Sequence, residues 1–356
     1  MSRKHARVGV IGCGWWATHA HLPALAGDSR ATIAGIAEPD PVKRAATVDR
    51  FAVPAAFANA DELLAQVELD AVVIAIPHAF HFSVAKLALE RGLHVLLEKP
   101  MTLEPEHARA LLREARARGR ELLIGYTWHY NRQVLAVREA IAAGEIGGIE
   151  FASCLFASIV REFYRGKPDA YAELFGYTWN APGESTYSDP AIAGGGQGQT
   201  QVTHACALLF FLTGLRPAEV FAYAESFELP VDLADAITVR FEGGAIASLA
   251  STGSVTPVHE GVLEYRIFGR EGHVLFDVTG AVCSIHRADG STRPLPSLDL
   301  VDRYPKAAPA KNLVGVTLGE EGNGSPPEFG VMAVEFLDAM YRSAREGGRA
   351  RVGDRG

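Results

Sequence analysis

The chain has 356 residues, with 34 Lys+Arg against 42 Asp+Glu for a formal net charge of −8, and 48% of its residues are apolar. That length fits about two globular domains, and the acidic balance weighs against nucleic acid or an anionic membrane surface as the main partner. The four cysteines (Cys13, Cys154, Cys206 and Cys283) include no CxxC pair, as expected of reduced thiols, and no apolar run reaches the roughly 18 residues of a membrane span.

Met1 to Arg7 is basic and precedes an apolar run, but that run stops at Gly12 without the cleavage site of a leader, so a cytoplasmic protein is expected. Arg7 to Ile11 predicts a strand ended by a glycine cluster, and Ala17 to Leu25 a helix. A second strand, Ala31 to Ala37, ends at Glu38. Pro41 opens a helix, and Asn59-Ala60-Asp61-Glu62 reads as a capping box before Leu63. Ala71 to Ile76 is apolar on both faces, as a central parallel strand should be, and Pro77 ends it. A helix follows from His81 to Arg91, then a strand from Leu93 to Leu97. Ala108, Leu111, Leu112 and Ala115 mark one face of another helix, and Leu122 to Gly125 is the last strand of the block. Strands alternating with helices predict a doubly wound parallel sheet, with 1–128 as the first domain.

After Trp128 the texture changes. A helix from Val134 to Ala143 is followed by period-two segments at 149–158, 220–227, 234–241, 245–251, 262–268 and 274–278. Turns at Glu242-Gly243-Gly244, Gly269-Arg270-Glu271-Gly272 and Asp289-Gly290 join them as hairpins. The expectation for 129–356 is an α+β domain with an open, mostly antiparallel sheet. It also holds a helix from Thr200 to Leu212 and an amphipathic tail helix from Gly330 to Arg345. Val160 to Ile192 is the one long irregular stretch.

Gly12-Cys13-Gly14-Trp15-Trp16-Ala17 matches G-x-G-x-x-G/A directly after a strand and at the start of a helix. Gly12 permits the tight turn, and Gly14 lets the backbone approach a pyrophosphate at the helix N-terminus. Glu38, 24 residues after Gly14 at the end of the second strand, is placed to accept from ribose hydroxyls. Its carboxylate repels a 2′-phosphate, so NAD is favoured over NADP. Lys43 and Arg44 could greet such a phosphate or simply form a solvated helix face. The alternative for the whole motif is a glycine turn with no ligand.

Glu98-Lys99-Pro100 stands at the C-terminal end of a strand, where ligands bind in open α/β sheets. With Pro77-His78-Ala79-Phe80-His81, Ala37-Glu38-Pro39-Asp40, Gly144-Glu145-Ile146-Gly147 and the triple glycine Gly194-Gly195-Gly196, followed eight residues later by His204, the chain resembles the Gfo/Idh/MocA oxidoreductase family. The resemblance covers nearly the whole chain. It implies a Rossmann domain, a C-terminal domain whose open sheet supports a homodimer or homotetramer, and NAD(P)-dependent hydride transfer at a sugar, sugar-derivative or cyclitol hydroxyl or carbonyl. The family lysine maps onto Lys99, touching the reacting hydroxyl and the cofactor, and the family histidine onto His204, the proton-exchanging group. Pro77, His81 and Glu98 then join Gly12, Cys13, Gly14, Trp15, Trp16 and Glu38 on the cofactor side.

Chemistry agrees with those roles. Hydride loss from a carbinol needs a base for the hydroxyl proton, and a helix N-terminus favours the neutral imidazole that a base requires. One departure stands out: many polyol dehydrogenases of the family carry Asp one turn before the histidine, and Thr200 holds that position here. Either Lys99 and His204 suffice or a carboxylate from the irregular segment substitutes, with Asp189 the first choice. The departure also leaves open a non-catalytic dinucleotide- and sugar-binding regulator, and an eliminating enzyme that recycles NAD. Tyr126, Trp128, His129, Asn131, Tyr164 and Tyr187 are candidates for the substrate side. His78 and His81, three residues apart, lack a nearby acidic or cysteine partner, so no metal is expected.

Overall fold

Residues 5–354 are described by a computed structural model; Met1–Lys4, part of the basic N-terminal stretch, and residues 355–356 lie outside it. The chain divides into two units. One comprises residues up to Tyr126 together with Gly166–Thr186 and Lys306–Val331; the other comprises Thr127–Arg165, Tyr187–Pro305 and residues from Met332 on.

The first unit is built on six strands: β1 (Ala6–Ile11), β2 (Ala31–Ala37), β3 (Ala56–Phe57), β4 (Ala71–Ile74), β5 (His94–Leu97) and β6 (Leu122–Ile124). They pair in parallel in the order β3-β2-β1-β4-β5-β6. Continuous apolar runs suit strands covered on both faces, and β4 is buried along its whole length. Helices Pro41–Phe51, Ala60–Gln66, His81–Glu90 and Pro105–Arg118 form the crossovers. Asp40 caps the first by accepting from Val42 N and Lys43 N, and Asn59 caps the second by accepting from Glu62 N at 2.9 Å. The Ala308–Leu318 helix, opened by Pro309 and closed at Gly319, puts Ala310, Leu313 and Val314 into the same core as Val8, Val10, Val73 and Leu96. Strand order reverses between β1 and β4, so their carboxyl ends open the crevice where such sheets bind ligands.

The second unit holds nine strands: β7 (Ile149–Ala157), β8 (Pro217–Glu225), β9 (Ala234–Phe241), β10 (Ile246–Thr252), β11 (Val262–Gly269), β12 (Gly272–Asp277), β13 (Val282–Arg287), β14 (Thr292–Pro294) and β15 (Ala350–Arg351). Their order is β14-β13-β12-β11-β7-β10-β9-β8-β15, antiparallel except where β10 runs parallel to β7. One face is buried by the Thr203–Thr213 helix, of which Thr203 to Leu212 are all buried; the Tyr265 hydroxyl donates to Ala205 O at 2.9 Å, and Phe210 packs edge-on against Phe241. The opposite face carries exposed Phe151, Leu155, Tyr223, Ile246, Phe268 and Leu275. The tail helix runs Pro327–Glu346. Within the irregular stretch, short helices occur at Arg161–Tyr164, Ala172–Phe175, Ser185–Ser188 and Pro190–Ala193.

Candidate active site

In the first unit the predicted cofactor residues gather at the carboxyl ends of β1, β2, β4 and β5. Gly12 takes φ +90°, and a Cβ there would overlap the Ala75 carbonyl, so only glycine fits the turn. Gly14 has nothing within 4 Å of where its Cβ would stand. This leaves an open cradle ahead of the helical run that begins at Trp15, the shape a pyrophosphate requires. Glu38, 7% exposed, accepts from Cys13 N at 2.8 Å and Asp40 N at 3.0 Å. A carboxylate has about four acceptor sites, so lone pairs remain for ribose hydroxyls. Both nearby cations have backbone partners: Lys43 Nζ donates to Ala181 O at 2.8 Å, and Arg44 Nη1 to Glu38 O at 2.6 Å. Open cradle, tight turn and acid together fit a dinucleotide.

Glu98 organises the other end of the crevice. Its Oε1 accepts from Trp16 Nε1 at 2.8 Å and lies 2.9 Å from His21 Nε2, while Oε2 accepts from Lys99 N at 3.2 Å. Burial works against its charge, but the His21 hydrogen bond and the nearby cations outweigh it and hold the carboxyl below its ordinary range. Lys99 is partly buried, and desolvation lowers its amine from the usual lysine value against the opposing pull of Glu98. The buried His81 ring lies 2.8 Å from Pro100 O and 2.9 Å from Ile76 O, tying the turns after β5 and β4 together. That contact also turns Ile76 out of β4, which ends at Ile74 and so falls short of the expected strand. Pro77 opens the His78–Phe80 turn. Trp15, instead of standing free, donates to Phe175 O at 3.0 Å and packs edge-on against Phe175 and Tyr177. Cys13 is buried, with its thiol pushed up to about 12.

In the second unit His204 is 6% exposed and lies edge-on to Trp128 with ring centroids 5.3 Å apart; Trp128 also meets Phe156 and Tyr304. Thr200 sits in the π-helical turn Gly198–Val202, one turn before His204, and its hydroxyl meets the Tyr164 hydroxyl and donates to Gly196 O at 2.9 Å. His129 is 1% exposed and stacks on Phe211 at 4.0 Å; burial and Arg138 lower its imidazole to about 3, so it is neutral. Asn131 caps the Arg132–Ala142 helix. Tyr187 packs on Phe163, and Asp189 caps Pro190–Ala193 by accepting from Ala191 N at 2.9 Å.

Two carboxylates that the sequence did not bring forward lie close to Thr200. Asp232, 6% exposed, accepts from Gly196 N, Gly198 N and the Tyr341 hydroxyl. Asp235 is 4% exposed, neither of its oxygens has a hydrogen-bond donor, and burial together with Asp232 pushes its carboxyl well up. The only hint in the sequence is two acids inside the apolar run Leu229–Ala236. Gly195 and Gly196 of the triple glycine, and Gly198 after it, make room for the protein's own groups. A Cβ at Gly195 or Gly198 would overlap the Tyr341 hydroxyl, and one at Gly196 would overlap Asp232 O. The protein itself fills that space.

Among the described residues no group of three or more His, Cys, Asp or Glu could hold a metal ion, and no helix is long and apolar enough to cross a membrane.

A family model described as the GFO/IDH/MocA oxidoreductase family with an NAD-binding Rossmann fold matches residues 6–126, and a model of the GFO/IDH/MocA C-terminal domain matches 134–275. A D-xylose 1-dehydrogenase (NADP(+)) of Haloferax volcanii is 26% identical over 343 residues, covering 95% of this chain and 97% of its own. A dTDP-3,4-didehydro-2,6-dideoxy-alpha-D-glucose 3-reductase of Saccharopolyspora spinosa is 28% identical over 275 residues, 77% of this chain and 75% of that protein. The crystal structure of an oxidoreductase domain protein from Kribbella flavida superposes with a TM-score of 0.85 at 19% identity, over 99% of this chain and 100% of the other.

Proposed function

The chain belongs to the Gfo/Idh/MocA family of NAD(P)-dependent oxidoreductases, and from that premise we propose that it oxidises a hydroxyl of a sugar, sugar derivative or cyclitol, or reduces the matching carbonyl, with Lys99 and His204 as its catalytic residues. The observation that carries the reading is the gathering of Gly12, Gly14, Glu38 and Lys99 at the strand ends flanking the reversal of sheet order. The relatives point to the same substrate class: one is named for xylose, the other for a nucleotide-linked deoxysugar.

Bound NAD supplies the hydride acceptor in oxidation and the donor in reduction. Gly14 leaves room for its pyrophosphate, and Glu38 accepts from its ribose hydroxyls. The Glu38 carboxylate at the ribose position favours NAD over NADP, because it repels a 2′-phosphate. Lys99 donates to the reacting oxygen. Its lowered amine value brings it nearer neutral pH, where it can hold an alkoxide or pass a proton. His204 takes the hydroxyl proton on oxidation and returns it on reduction, contributing on the order of 10² to 10⁴ in rate. Four buried thiols suit a reducing cytoplasm. A second copy of the chain covers the exposed apolar face of the nine-stranded sheet, giving a homodimer or a tetramer built from it.

Lys99→Ala is expected to keep NAD affinity within about threefold while turnover on a panel of aldoses, cyclitols and nucleotide sugars falls by roughly 10³-fold. The check is nicotinamide fluorescence titration beside absorbance at the reduced-cofactor band. Wild-type turnover by this variant would remove Lys99 from the mechanism.

A further inference from the structure

We propose that Asp232 is the positioning residue of the His204 helix, a cap supplied from a distant part of the chain; the proposal rests on His204 as the proton-exchanging group. Three successive backbone N–H groups converge on this one residue. Gly196 N donates to Oδ1 at 2.8 Å, Gln197 N to the Asp232 carbonyl at 2.9 Å, and Gly198 N to Oδ2 at 2.7 Å. These open the helical stretch that runs through Gly198–Val202 into Thr203–Thr213. The first N–H groups of a helix have no partner within it, and a negative charge there opposes the positive end of the helix dipole. No residue within Gly198–Thr213 supplies such a cap by its side chain. Gly198 O in turn accepts from Thr203 N, the residue before His204.

The anchor is braced on both sides. The Tyr341 hydroxyl donates to Oδ1 at 2.9 Å. Gln197 donates through Nε2 to Ser251 Oγ at 2.8 Å and accepts through Oε1 from Tyr164, whose hydroxyl also meets Thr200. Side chains at 195, 196 or 198 would drive Asp232 and Tyr341 away, which accounts for glycine at all three. The titratable groups facing Asp232 are Asp235 and Tyr164, both buried, and the half-buried Tyr341. The two tyrosines are held neutral by burial. Burial and the nearness of Asp232 push the Asp235 carboxyl well up, while the hydrogen-bond donors gather on Asp232 and none on Asp235.

The pair is therefore functionally unequal, and that asymmetry is the test. Asparagine at 232 must turn an amide NH₂ toward one of two N–H groups, whereas asparagine at 235 alters a side chain of the same shape on which no N–H converges. The C2–H signal of His204, identified by its loss in His204→Asn, is titrated by NMR in the full chain with NAD+ bound. In Asp232→Asn its midpoint is expected to move to lower pH by about half a unit, because the positive helix end is then uncompensated. Turnover on the sugar panel is expected to fall about 10²-fold from misplacement of the ring. Asp235→Asn should leave both within about twofold of wild type, or the midpoint unmoved. If Asp232→Asn fails to fold, Tyr341→Phe removes one donor but keeps the carboxylate, and should lower turnover about fivefold without lowering the midpoint. An unmoved midpoint in Asp232→Asn, unchanged turnover in Tyr341→Phe, or equal effects of Asp232→Asn and Asp235→Asn, would overturn the proposal. Wild-type turnover by His204→Asn would instead overturn the reading on which it rests.

Discussion

Two glycines in one turn answer to different demands. At Gly12 a methyl group meets the Ala75 carbonyl in a left-handed backbone conformation, so the demand comes from the fold. At Gly14 a methyl meets nothing and takes up only the space proposed for a pyrophosphate. Gly12→Ala is expected to lose about 2 kcal/mol or more of stability through strain and overlap. Gly14→Ala should unfold at the wild-type denaturant concentration yet bind NAD at least tenfold more weakly, a loss of about 1.4 kcal/mol. Equilibrium unfolding and cofactor titration on the same preparations separate the two. An unchanged affinity in Gly14→Ala would mean that the turn does not hold the dinucleotide.

At the scale of elements, the Gly166–Thr186 segment behaves as a strap on the first unit. Asn180 Nδ2 donates to Thr18 Oγ1 at 2.6 Å, Trp15 donates to Phe175 O, and Lys43 donates to Ala181 O. Because these few polar contacts hold a stretch with little regular structure, Asn180→Ala should raise amide hydrogen exchange in 176–186 by about tenfold while the strands stay protected. Exchange followed by mass spectrometry checks this. The same segment shows what a sequence can carry. Gly12-Cys13-Gly14, Glu38 and Glu98-Lys99-Pro100 were legible because their meaning lies in short spacing beside a strand. The alternation in Ile237, Val239 and Phe241 was legible because one face of β9 is wet. The strap was not, since its contacts lie up to 162 residues away along the chain. Nor was Asp232, whose partners are backbone N–H groups 34 and 36 residues distant that any residue could present. β13 was missed as well, although Ser284 and His286 alternate with buried Cys283 and Ile285; Ser284 bonds to His286, and His286 meets Thr292.

Over the whole molecule, the nine-stranded sheet leaves a row of large apolar side chains in water. Phe151 pairs with Phe268 across β7 and β11, Ile246 pairs with Phe151 from β10, and Leu275 lies beside them on β12. Contiguous patches of that kind mark a protein surface that another protein covers. Phe268→Asp, placing a charge at the middle of the row, should convert the expected dimer to monomer by sedimentation, with NAD affinity unchanged because Phe268 belongs to the second unit. A wild-type protein that sediments as a monomer would leave the patch without that role.

The cysteines are divided unevenly between the halves. Cys13 lies in the glycine turn of the first unit, Cys154, Cys206 and Cys283 lie in the second, and all four are buried with their thiols held protonated. An alkylating reagent therefore reaches none of them until the chain around it opens. Each sulfur is a built-in clock for its own neighbourhood. Occupancy of the glycine turn by a dinucleotide slows only the first of these clocks, so the chain distinguishes coenzyme loading from general loosening without any added label.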